Sequence, residues 1–139
     1  MNEELRILYE DEFLVVCVKP VGVLSEDDPQ RACMPQLLRR YYRQTGQPDY
    51  IATVHRLDRI TGGVMLFSRR REITGKLIAA VAAHQVEKEY LAVLRGHPLQ
   101  PEDTLTDLLF RDSSCNKSFV VQRMRKGVRE ASLSYRELG

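Results

Sequence analysis

A chain of 139 residues with 43% apolar side chains has enough material for one domain around one core. With 29% charged residues and no apolar run long enough to cross a bilayer, the sequence predicts neither a membrane span nor a signal peptide, and so a cytoplasmic protein. Three cysteines (Cys17, Cys33, Cys115) without a C-x-x-C pair and three scattered histidines (His55, His84, His97) argue against a metal site or a Cys/His nucleophile pair, so no cofactor is expected.

Leu5 to Tyr9 and Phe13 to Val18 are apolar, rich in β-branched residues and separated by Glu10-Asp11-Glu12, the pattern of a β-hairpin. Lys19-Pro20-Val21-Gly22 then turns the chain, because proline presets φ for a turn and glycine accepts backbone angles that other residues resist. Ser25 to Cys33 is acidic, then polar, and reads as a loop. Met34, Leu37, Leu38, Tyr41 and Tyr42 recur at helical spacing with Pro35 in the first turn, which predicts an amphipathic helix ended by Gly46 and Pro48. Tyr50 to Val54 is extended, and Val64 to Phe67 reads as a buried strand.

A second helix is predicted over Glu72 to His84 from Ile73, Leu77, Ala80, Val81 and His84, weakened by Gly75. Val86 to Leu94 alternates as a strand does, with Lys88 and Tyr90 on one side and Glu87 and Glu89 on the other. Ser118 to Arg123 and Ala131 to Tyr135 read as two more strands joined by the basic turn at Lys126 and Gly127. The second of these has no element after it, which predicts a strand lacking one neighbour. Strands clustering around two helices give an α+β class, with a mixed, mostly antiparallel sheet and two flanking helices.

The net charge of +2 selects no partner by itself, but the charges are clustered. From His55 to Arg71 five arginines stand against the single acid Asp58, and from Arg111 onward seven basic residues face three acids. Such clusters suit a phosphate backbone, although a solvated basic face is the commoner cause of them.

The most informative string is Val54-His55-Arg56-Leu57-Asp58-Arg59-Ile60-Thr61-Gly62-Gly63. In an extended segment Arg56 and Asp58 project to one side and His55 and Leu57 to the other, so a carboxylate and a guanidinium stand together at the mouth of a turn. Thr61-Gly62-Gly63 lets the chain bend there, which keeps Asp58 accessible. From spacing alone this is a loop carrying a local Arg/Asp pair.

His55-Arg56-Leu57-Asp58 followed by Thr61-Gly62-Gly63-Val64-Met65-Leu66 resembles the H-R-L-D-x-x-T-S-G-L-L-L signature of the large-subunit type A (RluA-like) family of RNA pseudouridine synthases. Two further stretches are similar in the same order: the opening hairpin with its K-P-x-G turn at Lys19-Pro20-Val21-Gly22, and a V-x-K-x-Y-x-A strand at Val86 to Ala92. The resemblance implies an RNA pseudouridine synthase acting on ribosomal or transfer RNA, with Asp58 as the catalytic carboxylate and Tyr90 packing against the target base. It also implies Arg56 and Arg59 as contacts to the RNA, with Arg56 at a phosphate or in the space left by the displaced base, and no metal or other cofactor, because the uracil is cleaved from ribose at N1, rotated and rejoined through C5 without leaving.

A carboxylate ionised at neutral pH can attack the anomeric carbon or take a ribose proton, and the sequence leaves both routes open. Gly62 stands where the family usually has serine. The T-G-R-x-H-Q-I-R motif that family members carry beyond a strand like Leu133 to Leu138 has no match, so residues 1–139 read as the N-terminal portion of a catalytic domain with no second domain. A catalytically incomplete RNA-binding protein on the same scaffold is the alternative.

Overall fold

The computed structural model describes residues 5–139, which separate into two compact units, the first ending at Glu89 and the second Tyr90–Gly139. In the first, β1 (Arg6–Glu10) and β2 (Leu14–Lys19) form the expected hairpin, with a bulge between Ile7 and Tyr9. Its turn is made by Asp11, whose Oδ1 accepts hydrogen bonds from the amides of Phe13 (2.7 Å) and Leu14 (2.8 Å). Those two donors hold the Asp11 carboxyl below the usual carboxylate range. β4 (Gly63–Ser68) pairs antiparallel with β2 and with the short β3 (Ala52–Thr53), giving the order β1-β2-β4-β3.

Alternation along this sheet builds the core. Val15, Cys17 and Lys19 of β2 and Met65 and Phe67 of β4 are buried on one face. Helix α1 (Met34–Gln44) covers that face with Met34, Leu38 and Tyr42, spaced four residues apart, while Leu37 and Tyr41 are half-buried beside them. The Tyr42 hydroxyl donates to Glu10 Oε2 at 2.6 Å, and the Arg69 guanidinium lies 3.9 Å over the Tyr42 ring, so the helix is tied to the hairpin by polar as well as apolar contacts. Helix α2 (Arg71–Ala82) forms where expected but buries no residue completely; Ile73, Leu77, Ala80 and Val81 are half-buried. Among the described residues no helix is long and apolar enough to cross a membrane.

The second unit is a three-stranded antiparallel sheet, order β6-β5-β7, made of β5 (Glu102–Asp112), β6 (Lys117–Val121) and β7 (Val128–Arg136). The Ser118 to Arg123 and Ala131 to Tyr135 strands therefore exist but are not paired with each other. Each pairs with β5, which the sequence did not predict, because Glu102 to Asp107 is too polar to read as a strand. The ladder is reinforced by hydroxyl pairs across β5 and β7, Thr104 with Ser134 at 2.7 Å and Thr106 with Ser132 at 3.0 Å. Only Val128 is buried in this unit, and β7 keeps one unpaired edge among the described residues.

The expected strand Val86 to Leu94 does not form. Alternation lets a segment join a sheet, but the backbone groups must find a neighbour, and no strand among the described residues pairs with this one. Leu91 and Val93 are accordingly 89% and 102% exposed. The structure also has two sheets in place of the single sheet expected, with every ladder antiparallel.

The difference in burial between the two sheets predicts a difference in mutational cost. Phe67→Ala, which empties a fully buried ring site, is expected to remove about 3–5 kcal/mol of stability in urea denaturation. Leu133→Ala, at a position 56% exposed, is expected to cost under about 0.5 kcal/mol, and equal losses would contradict this assignment of the core.

Candidate active site

The loop from Val54 to Gly62 is held from two directions. On one side Ser25 bridges Leu57: its hydroxyl donates to the Leu57 carbonyl at 2.5 Å and accepts from the Leu57 amide at 3.0 Å. On the other, the K-P-V-G turn meets Arg59, as the Gly22 amide donates to the Arg59 carbonyl at 2.7 Å. The Thr61 amide closes the turn by donating to the Asp58 carbonyl at 2.9 Å. Backbone clamps on both neighbours thus fix where Asp58 stands, while its side chain is exposed and makes no hydrogen bond or ion pair among the described residues.

Lys19, read from the sequence only as part of a turn, organises this corner. Its side chain is completely buried at the end of β2, and its ammonium donates to the carbonyls of Val23 (2.7 Å), Pro20 (3.0 Å) and Arg59 (3.3 Å). Burial holds the Lys19 ammonium below the usual lysine range, and the negative charge of Asp58 opposes that shift. The alternation of β2, which turns every second side chain inward, is the signal that could have revealed it.

Glycine serves the same contact. A Cβ on Gly62 would lie 3.2 Å from Val21 Cγ2 and 3.4 Å from the Lys19 carbonyl oxygen, so the turn after Asp58 packs closely on the K-P-V-G turn. Gly63 has φ +151°, a conformation that side chains rarely adopt.

The alternation expected along the motif is present: Arg56 and Asp58 are exposed, His55 and Leu57 half-buried. His55 Nε2 accepts the Leu66 amide at 3.0 Å, which ties the motif to β4 and requires a neutral imidazole at that nitrogen. Burial, and next the Lys88 ammonium, hold His55 below the usual histidine range. Arg56 does not pair with Asp58. Its Nη1 lies 3.2 Å from Glu26 Oε2.

Arg56, Asp58 and Arg59 share one cleft of about 190 Å³ with Ser25, Glu26 and Asp28 of the preceding loop. The sequence motif therefore brings three of the four expected site residues together. Tyr90, the fourth, opens the second unit outside any strand and is 59% exposed. No group of three or more His, Cys, Asp or Glu side chains among the described residues is placed to hold a metal ion. The arrangement presents the Asp58 carboxylate on a fixed backbone, in a cleft open to solvent that also holds the Arg56 and Arg59 guanidinium groups and the acids of the preceding loop.

A family profile described as RNA pseudouridylate synthase matches residues 13–139. The tRNA pseudouridine synthase C of Haemophilus ducreyi is 38% identical over 98 residues, which is 68% of this chain and 38% of that protein. That of Haemophilus influenzae is 40% identical over 97 residues, 67% of this chain and 38% of that protein. RNA pseudouridine synthase 1 of Oryza sativa is 34% identical over 92 residues, 66% of this chain and 26% of that protein. The chain thus spans well under half the length of these curated relatives. Among solved structures, the human RNA Pseudouridylate Synthase Domain Containing 4 superposes with a TM-score of 0.76 at 22% identity, over 94% of this chain and 52% of that one.

Two measurements test how this corner is held. Lys19→Met leaves the Val23 and Arg59 carbonyls without their donor and is expected to cost about 1–3 kcal/mol in urea denaturation; an unchanged midpoint would show that the buried ammonium is dispensable. Because the His55 pKa is lowered on folding, its contribution to stability is complete above about 6.5, the ordinary histidine value, and is lost as pH falls toward the depressed folded value. His55→Gln, which can still accept the Leu66 amide, is expected to reduce the fall of the urea midpoint below that pH; an unaltered pH profile would assign the dependence to other groups.

Proposed function

Since this chain belongs to the RNA pseudouridylate synthase family, we propose that it carries the catalytic aspartate of an enzyme that isomerises uridine to pseudouridine in RNA. The observation that supports this best is Asp58 itself: an exposed carboxylate without a side-chain partner among the described residues, on a loop clamped through Leu57 and Arg59. Clamping a reactive group before substrate arrives removes an ordering cost from the reaction. On this reading residues 1–139 correspond to the N-terminal portion of the family's catalytic domain.

Each side chain has a part in this proposal. Asp58 acts at the ribose, by attack on the anomeric carbon or by removal of a proton, while N1 of the uracil leaves and C5 takes its place. A uridine within a stem must first be turned out, at a cost of a few kcal/mol that phosphate contacts and stacking offset. Arg56 and Arg59 supply phosphate contacts beside Asp58, and Tyr90 supplies a ring for the base. The uracil stays in the pocket throughout, so the isomerisation balances without a cofactor. Transfer RNA is the substrate class we infer, since the bacterial relatives are named for it; ribosomal RNA is the other candidate. The site of action is the cytoplasm.

Tritium release from RNA labelled at C5 of uridine measures the reaction directly, because C5 loses its hydrogen when it becomes the glycosidic carbon. The complete protein is expected to release tritium, and Asp58→Ala to release none above background while remaining folded. Release by Asp58→Ala at the parental rate would remove Asp58 from the mechanism. Salt-sensitive RNA binding by the parent without any release would favour an RNA-binding protein that does not turn over.

A further inference from the structure

We infer that Glu26 is a built-in carboxylate competitor that RNA must displace from Arg56 before that arginine can take a phosphate. The inference rests on the proposed role of Arg56 as an RNA contact. Arg56 is not idle without RNA: its Nη1 stands 3.2 Å from Glu26 Oε2, in the cleft that also holds Asp58.

The pairing is set by the backbone. Ser25 precedes Glu26 and Leu57 follows Arg56, and the Ser25 hydroxyl bridges both the carbonyl and the amide of Leu57. Thr53 Oγ1 adds a bond to the Ser25 carbonyl at 3.2 Å. The loop beyond Glu26 is pinned as well. Its ends meet at a bridge between Leu24 and Cys33, Asp27 is bound by Arg39 at 2.6 Å, and Asp28 by Arg31 at 2.7 Å. Asp27 and Asp28 are thus each taken by an arginine that holds the loop together. Glu26 alone of the three acids spends its charge on a residue of the Asp58 motif.

Both members of the pair are accessible, with side chains 62% exposed for Arg56 and 60% for Glu26, so the contact is weak enough to be displaced by a phosphate. A competitor of that strength acts on every RNA, but it matters most for one that offers the cleft a single poorly placed phosphate. An RNA seated through several contacts displaces it readily. The Glu26 carboxylate therefore lowers the affinity of every RNA that uses Arg56 by the same factor, and weakly held RNA leaves the cleft first.

Binding of a single-stranded oligouridylate to the full chain, by fluorescence anisotropy at several salt concentrations, tests this with a double-mutant cycle of Glu26→Gln and Arg56→Gln. Arg56→Gln is expected to weaken binding and to lower the slope of log K against log salt by about 0.7, as loss of one phosphate contact on a single strand does. Glu26→Gln is expected to tighten binding about two- to fivefold in the parent and to have a smaller effect in the Arg56→Gln background. Asp27→Asn, which removes the same charge from the same loop, is expected to show no such dependence on Arg56. An equal gain from Glu26→Gln in both backgrounds, or no gain in the parent, would overturn the inference while leaving Arg56 as an RNA contact. Unchanged affinity and slope in Arg56→Gln would instead overturn the reading of Arg56 itself.

Discussion

The geometry of the Asp58 corner depends on one buried ammonium group. Lys19 leaves water at the end of β2, which is costly for a charge, and the three carbonyls of Pro20, Val23 and Arg59 offset that cost. Because one of the three belongs to the residue after Asp58, the same interaction that satisfies the lysine also joins the core sheet to the reactive loop. Gly62 permits the close packing this requires, and Ser25 makes the matching clamp on the residue before Asp58. The loop carrying Asp58 is irregular in conformation, yet its position is determined by hydrogen bonds on both sides.

Much of the first unit was legible in the sequence because its patterns are satisfied locally. The hairpin, the apolar stripe of α1, the Val64 to Phe67 strand and the α2 stripe each code for an element that finds its partner within the first unit. The motif residues Arg56, Asp58 and Arg59 were legible for a related reason, since they are consecutive or nearly so and one loop carries them to one cleft. Lys19 and Glu26 were not. A lysine in a turn and an acid in a polar loop look alike whether solvated or engaged, and the chain must fold before either meets residues thirty or more positions away.

The failures lie in the pairing of strands. Val86 to Leu94 has the alternation of a strand, but no neighbour among the described residues completes its ladder, and Tyr90 stands outside any strand. Conversely, β5 was missed because its first half carries threonine and acidic residues. It is a central strand all the same, since backbone hydrogen bonding and cross-strand hydroxyl pairs need no apolar side chain. Periodicity reports what a segment could bury, whereas pairing is decided by which edges lie within reach.

The single buried residue of the second unit has a thermodynamic consequence. The heat capacity gained on unfolding comes from apolar surface newly exposed to water, with polar surface acting in the opposite sense. Residues 5–89 enclose Val15, Met34, Leu38, Met65 and Phe67, whereas residues 90–139 enclose only Val128. The larger share of the curvature of stability with temperature, and with it of the approach to cold denaturation, therefore comes from the part of the chain that holds Asp58, and the three-stranded sheet contributes less.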